Sequence, residues 1–390
     1  MLFPRESLEK IKRVLPREEF IVLTGARQTG KTSLLMLLKD HLEKTGQTGH
    51  YLNLENAETL KALNEHPLNL FELIPAGKTK MNVFIDEIQY LDSPTNFLKL
   101  LYDENRERVK IIASGSSAFY IDEKFKDSLA GRKFLFELYP LNFHEFLVFK
   151  QASGLLGQKL SVYSKKRKIK LWTEYIIYGG YPKIVLTEEE ELKKILLEEI
   201  GSAYVKKDIV EAGIKNTDKY FALLKILAEQ TGCLVNSQEL ANTLNLAHKT
   251  IEDYLHVMKK SYQIAFVRPF YKNLRKELTK MPKAYFYDLG LRNFFMNDYS
   301  KPERRPDKGA YLENVVFREL LGRTTDRDNI KYWRTQEKNE VDFVAGSQAF
   351  EVKFDLKGLK RKKYSQFQKE YPAIELTFLA YDTLMEYFYP

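Results

Sequence analysis

The stretch FIVLTGARQTGKTSLLMLLKDHLEKTG, Phe20 to Gly46, decides how the first third of the chain folds. It opens on an apolar run of strand type, continues through a glycine-bearing loop, and ends in leucines at helical spacing that stop near Gly46. The loop, Gly25, Ala26, Arg27, Gln28, Thr29, Gly30, Lys31, Thr32 and Ser33, fits the spacing G-x-x-x-x-G-K-S/T. Its glycines let backbone N–H groups close on phosphate oxygens, and the helix that follows adds the positive end of its dipole. Lys31 would reach the β- and γ-phosphates of ATP, and the Thr32 hydroxyl would ligate Mg²⁺. A glycine turn without nucleotide could share the spacing, but it has no reason to sit between a strand and a helix.

Working outward, GHYLNLEN supplies a second strand and KMNVFIDEIQYL a third, whose buried run from Val83 to Ile85 ends in Asp86 and Glu87. Acids at the carboxyl end of a parallel strand lie where open α/β sheets bind ligands. Asp86 would hold Mg²⁺ through water, and Glu87 would orient or deprotonate the attacking water; the bland alternative is a pair of helix caps. RVKIIASGSS should lie between the two motif strands and bring Ser114 or Ser116 near the γ-phosphate. Arg132 precedes a fifth strand that ends at Pro140. It is either an arginine finger, acting in cis or in trans, or half of a structural ion pair.

At 390 residues the chain has room for two to four domains. Lys and Arg number 62 against 53 Asp and Glu, a formal charge of +9 that favours polyanionic partners. The one cysteine, Cys233, excludes an intramolecular disulfide and a cysteine-rich zinc site. No run is long enough to cross a bilayer and no signal peptide is present, so a cytoplasmic protein is expected.

The middle of the chain is mainly helical. The basic run SKKRKIK, Ser164 to Lys170, reads as a solvated loop or helix start in preference to a phosphate contact. NSQELANTLNLAHKTIEDYLHVMKKSYQIAFVRPF then reads as helix, turn, helix and two β-leaning runs, a winged helix-turn-helix. Ser237 caps its first helix, and Ile251, Leu255 and Met258 face inward on the second. That second helix would offer His248, Lys249 and Lys259 to nucleic acid, although Glu252 and Asp253 beside them oppose phosphate and a protein contact is also open. Further on, NEVDFVAGSQAFEVKF, Asn339 to Phe354, reads as a hairpin turning at Gly346-Ser347, which sets Asp342 opposite Glu351. Facing carboxylates repel unless a cation joins them, so a divalent ion is one reading and a solvated polar face another. Lys360, Arg361 and Lys362 follow among aromatics, as a nucleic-acid track or a solvated basic helix start.

The segments GARQTGKTS, VFIDEIQYL, IIASGSS and LAGRKFLFELYPLNFHEF resemble the prokaryotic AAA-type ATPases of the archaeal ATPase group, whose members often carry a C-terminal domain related to restriction-type nucleases. The resemblance continues through YGGYPKIV, YFYDLGLRNFF and YLENVVFREL, and so covers nearly the whole chain. It implies a five-stranded core, Ser116 as the nucleotide-sensing polar residue, and a nuclease relationship for the C-terminal domain. Glu313, Asp342, Glu351 and Lys353 then match a helix acid, a second acid and E-x-K, with three carboxylates on Mg²⁺ and Lys353 on developing charge. Val341 stands where the proline that helps to name that nuclease superfamily would be. The fold expected is α/β: a phosphate-loop ATPase core over 1–140, a helical lid over 141–216, a winged helix over 217–272 and a nuclease-like domain over 283–390. The function expected is an ATPase acting on nucleic acid, DNA or RNA, with a Mg²⁺-dependent nuclease-like domain. The alternative is a non-cleaving ATP-dependent switch that contacts a partner through the winged helix. The oligomeric state stays open.

Overall fold

Phe20 and Val22 pack into one apolar cluster and Ile21 and Leu23 into another, so the first strand needs a layer on each of its faces. In the computed structural model those layers are built. It describes residues 2–75, 80–115, 129–157, 160–271, 277, 280–324 and 327–390, without the side chains of 203 and 204. Strands β1 (Phe20–Gly25), β2 (Gly49–Asn53), β3 (Met81–Asp86), β4 (Val109–Ser114) and β5 (Lys133–Leu138) form one sheet in the order β2-β3-β4-β1-β5. Every pairing is parallel. β4 separates the two motif strands as expected, and β5 ends at Leu138, two residues before Pro140. The helix Lys31–Lys44 covers the Ile21 and Leu23 side with Leu34, Leu35, Leu38 and Leu42.

The chain divides into two compact units, Met1–Tyr139 with Lys260–Tyr262, and Pro140–Lys259 with Gln263–Pro390. The second unit takes in the segments expected as lid, winged helix and nuclease-like domain. It begins with the helices Phe143–Phe149, Val162–Tyr178, Glu190–Glu199 and Val205–Glu211. The helical pattern after Glu190 is broken by a π-helical turn, Ile200–Tyr204, where Phe294 fills the space that a side chain on Gly201 would need.

The helix pair Ser237–Leu244 and His248–Lys260 is present, with Ile251, Leu255 and Met258 buried. Its cap is Asn236, which accepts from the N–H groups of Gln238 and Glu239; Ser237, expected to cap, instead bonds His248 Nε2 at 3.0 Å. β6 (Ile264–Pro269) and β7 (Lys283–Phe286) then pair antiparallel. β6 also pairs in parallel with β8 (Ile330–Arg334), and with β9 (Glu340–Ala345), β10 (Gln348–Lys353) and β11 (Glu375–Ala380) they make one mixed six-stranded sheet, β11-β10-β9-β8-β6-β7. The segment read as two wing strands holds one strand, β6, which belongs to the same sheet as the C-terminal strands. The helix Lys308–Arg323 lies against β7, β8, β9 and β10 and is buried along nearly its whole length.

Candidate functional site

Backbone conformation shapes the loop after β1. Gly25 takes φ +146° and Gly30 φ +92°, and a Cβ on Gly25 would run into the Leu138 carbonyl of β5. Gln28 is also left-handed, at φ 59°. The Thr29 hydroxyl closes the loop on the Ala26 carbonyl at 2.8 Å, and Lys31 folds back onto the carbonyls of Gly25 and Ala26 at 3.0 and 2.7 Å. Arg5, which precedes the helix Glu6–Val14, ties the Thr29 carbonyl to that of Tyr139. Lys31, buried against carbonyls, has the reach and charge to exchange them for phosphate oxygens.

The ends of β3 and β4 meet this loop. The Thr32 hydroxyl donates to Asp86 Oδ2 at 2.6 Å, Tyr51 donates to the same oxygen at 2.9 Å, and Ser114 donates to Asp86 Oδ1. Burial, and next the Asp86 charge, raise the Tyr51 phenol well above its ordinary value, so it stays a donor. A carboxylate and a hydroxyl already in contact are a hard-oxygen pair that fits Mg²⁺ beside bound phosphates. Glu87 follows in the left-handed region at φ 59°, with Gln89 donating to its carboxylate. Ser114 thus belongs to this cluster, whereas Ser116 lies outside the described residues. Arg132 makes a two-point ion pair with Asp103 at 2.7 and 3.2 Å. The bond between them raises the arginine and lowers the carboxyl from their ordinary values.

A second charged centre lies in the other unit. The β9–β10 register, Ala345 with Gln348 through Phe343 with Phe350, runs on toward Asp342 and Glu351, and Val352 N–H donates to Asp342 Oδ2 at 2.8 Å. Both acids are buried, at 4% and 2% exposure, so this is not a solvated polar face. The cation between the acids is lysine. Lys283 of β7, itself 2% exposed, stands 2.6 Å from Glu340, 3.5 Å from Glu313 and 3.9 Å from Asp342. Lys353 bonds Glu351 and lies 3.7 Å from Asp342. Burial opposes the Lys283 charge, but Glu313, Asp342 and Glu340 outweigh it and hold the ammonium above its ordinary range.

The acids are pushed the other way. Burial, then the Asp342 charge, lifts Glu313 to about 8 and raises Glu351. Tyr285 donates to Glu313 at 2.9 Å and Tyr364 to Glu351 at 2.7 Å, while Glu351 Oε2 is buried without a hydrogen bond. Among the described residues no group of three or more His, Cys, Asp or Glu side chains is placed to hold a metal ion. As arranged, Glu313, Asp342 and Glu351 face the ammonium groups of Lys283 and Lys353 and are not gathered on one divalent ion.

Family models match in three places: an AAA domain over residues 17–147, a domain of unknown function (DUF8612) over 169–301, and another (DUF4143) over 308–389. An uncharacterized protein of Haemophilus influenzae is 30% identical over 83% of this chain and 78% of its own. The chain belongs to this AAA-domain family. An uncharacterized protein of Methanocaldococcus jannaschii is 29% identical over 83% of this chain and 71% of its own. Among solved structures, the RuvB Holliday junction branch migration motor of Thermotoga maritima matches 67% of this chain and 89% of its own, at 15% identity and a TM-score of 0.35.

The AAA domain and the C-terminal domain each hold site residues that sequence reasoning did not single out. Arg5, Tyr51 and Asp103 approach the AAA-domain residues only through folding. Lys283 had one local signal, a lysine heading the otherwise apolar strand KAYF, and Glu340 precedes the hairpin acids directly. Of the residues expected on nucleic acid, His248 is tied to Ser237 and lies 3.6 Å from Glu252, and Lys249 is exposed. Lys259 is half-buried, and Lys360, Arg361 and Lys362 are exposed, with Arg361 over the Phe378 ring at 5.4 Å. Among the described residues no helix is long and apolar enough to cross a membrane.

Proposed function

We propose that the chain is an ATP hydrolase whose second unit works as a non-cleaving, nuclease-like scaffold for a partner. The observation that carries the first half is the link Thr32–Asp86–Ser114, which joins the phosphate loop to the ends of two parallel strands. Lys31 would bind the β- and γ-phosphates, Thr32 and Asp86 would hold Mg²⁺, and Glu87 would orient water toward the γ-phosphorus and accept its proton as the bond to ADP breaks. Mg²⁺ supplies charge neutralisation on the phosphates. Turnover measured by phosphate release tests this reading. Lys31→Ala should abolish it, and Glu87→Gln should keep ATP binding while turnover falls about 10²–10⁴-fold, the usual contribution of general-base catalysis. Wild-type turnover in Glu87→Gln would remove the assigned base.

The second half rests on Lys283 among Glu313, Glu340 and Asp342. A helix acid, a second acid and E-x-K on a mixed sheet keep the outline of a metal-dependent nuclease, while the lysine neutralises the place where the metal would act. A cleavage assay on DNA and RNA with Mn²⁺ should show no product, in wild type and Asp342→Ala alike; cleavage by wild type alone would restore the nuclease reading. Nucleic acid is the partner best supported by the net charge of +9 and the exposed Lys360, Arg361 and Lys362.

A further inference from the structure

The basic run SKKRKIK lies in the helix Val162–Tyr178, and there it is not an evenly solvated face. Tyr163, Lys166, Arg167 and Lys170 recur at spacings of three, four and seven, which puts them on one side of the helix. With Lys150, Leu171, Glu174 and Glu188 they line a groove of about 480 Å³. The opposite side is anchored: Lys168 donates to the Tyr389 carbonyl at 2.5 Å, and Trp172 and Tyr175 are buried against Phe143. The groove wall is therefore fixed before any ligand arrives.

Its charges are unbalanced. Glu174 pairs with Lys150 at 3.0 Å and Lys193 at 2.5 Å, and Glu188 pairs with Lys150 at 3.0 Å. The side chains of Lys166, Arg167 and Lys170 make no hydrogen bond or ion pair among the described residues. Lys166 and Lys170 are four residues apart and Arg167 and Lys170 three, like-charge neighbours that destabilise a helix, and its first turn holds no acid to offset them. Tyr163 stands at the same face with 79% of its surface exposed.

We propose that this groove binds single-stranded nucleic acid, with Lys166, Arg167 and Lys170 on backbone phosphates and Tyr163 stacked on a base. Unpaired cations match a polyanion, and an exposed aromatic beside them matches an unstacked base. A concave site favours a strand over an anionic membrane, whose surface cannot enter it. The proposal rests on the nucleic-acid reading above for the class of partner and on the groove alone for the place.

The test is fluorescence anisotropy of a labelled oligothymidylate with the full chain across a salt series. Wild type should bind, and the triple variant Lys166→Ala, Arg167→Ala, Lys170→Ala should lower the slope of log affinity against log salt by about 2, from about 0.7 per phosphate contact. Tyr163→Ala should weaken binding roughly tenfold with the slope kept. The charge-matched triple variant Lys10→Ala, Arg13→Ala, Lys44→Ala, at exposed positions of the first unit, is the control, expected to keep both the slope and the Tyr163 effect. All these positions are exposed, and an unchanged melting temperature verifies folding. No binding by wild type, or binding only to phosphatidylserine vesicles, overturns the partner class and the groove together. Wild-type binding with the slope unchanged in the first triple variant overturns the groove alone.

Discussion

Glu87 takes a backbone conformation that glutamate does not favour. A non-glycine residue held at φ 59° carries strain of about 1–3 kcal/mol, while the bond from Gln89 returns about 1 kcal/mol. The position is therefore a net loss for stability unless the carboxylate is needed there. Asn adopts the left-handed region more easily than Glu. Glu87→Asn should therefore raise unfolding stability by roughly 1 kcal/mol while hydrolysis is lost, measured by thermal melting and phosphate release on the same preparation. A less stable variant would mean that Glu87 is held by its contacts and not spent on function. Gly25 is the opposite case. Any side chain there would meet the Leu138 carbonyl, so its conformation serves packing as well as phosphate approach.

At the scale of elements, β7 brings Lys283 to three acids from two other elements: Glu313 on the helix Lys308–Arg323, and Glu340 and Asp342 on β9. Removing one partner of a buried ion pair costs about 3–5 kcal/mol, because the others keep their desolvation cost without its compensation. Lys283→Met should lose stability of that order, and Mn²⁺ should restore part of it by entering the vacated centre, whereas wild type without nucleotide should not respond to Mn²⁺. Wild-type stabilisation by Mn²⁺ that disappears in Asp342→Asn would reverse the assignment. The same centre marks how far the sequence could be read. The phosphate loop was legible because its residues are contiguous, and the Asp342–Glu351 approach because a two-residue turn and a period of two determine register. Lys283 was not, because only sheet assembly carries it to Glu313, and Asp103 likewise reaches Arg132 only after folding. The motif segments YGGYPKIV and YFYDLGLRNFF prove to be ties within the second unit. Asp288 accepts from Gly180 N–H at 2.8 Å and Leu291 N–H at 2.9 Å, and Arg318 donates to the Pro140 carbonyl at 2.9 Å.

Across the whole molecule, the two units hold their buried charges differently, and this predicts different responses to pH. In the second unit burial raises Glu313 to about 8 and also raises Glu319, Glu351 and Asp288. Between the ordinary carboxylate range and that raised value, the folded unit binds more protons than the unfolded chain, so its stability falls as pH rises through the window. In the first unit burial lowers Lys110 to about 8, where it donates to the Arg17 carbonyl at 2.8 Å. A lysine lowered in the fold binds fewer protons folded than unfolded, so its contribution improves from about pH 8 upward. Calorimetry between pH 5 and 8.5 should then show the second unit's transition moving down by several degrees while the first unit's does not follow. Glu313→Gln should flatten that decline, because an amide keeps the bond from Tyr285 without ionising beside Asp342. If both transitions shift together, or Glu313→Gln leaves the slope unchanged, the charge burial at Lys283 and Glu313 is not what sets the second unit's pH response.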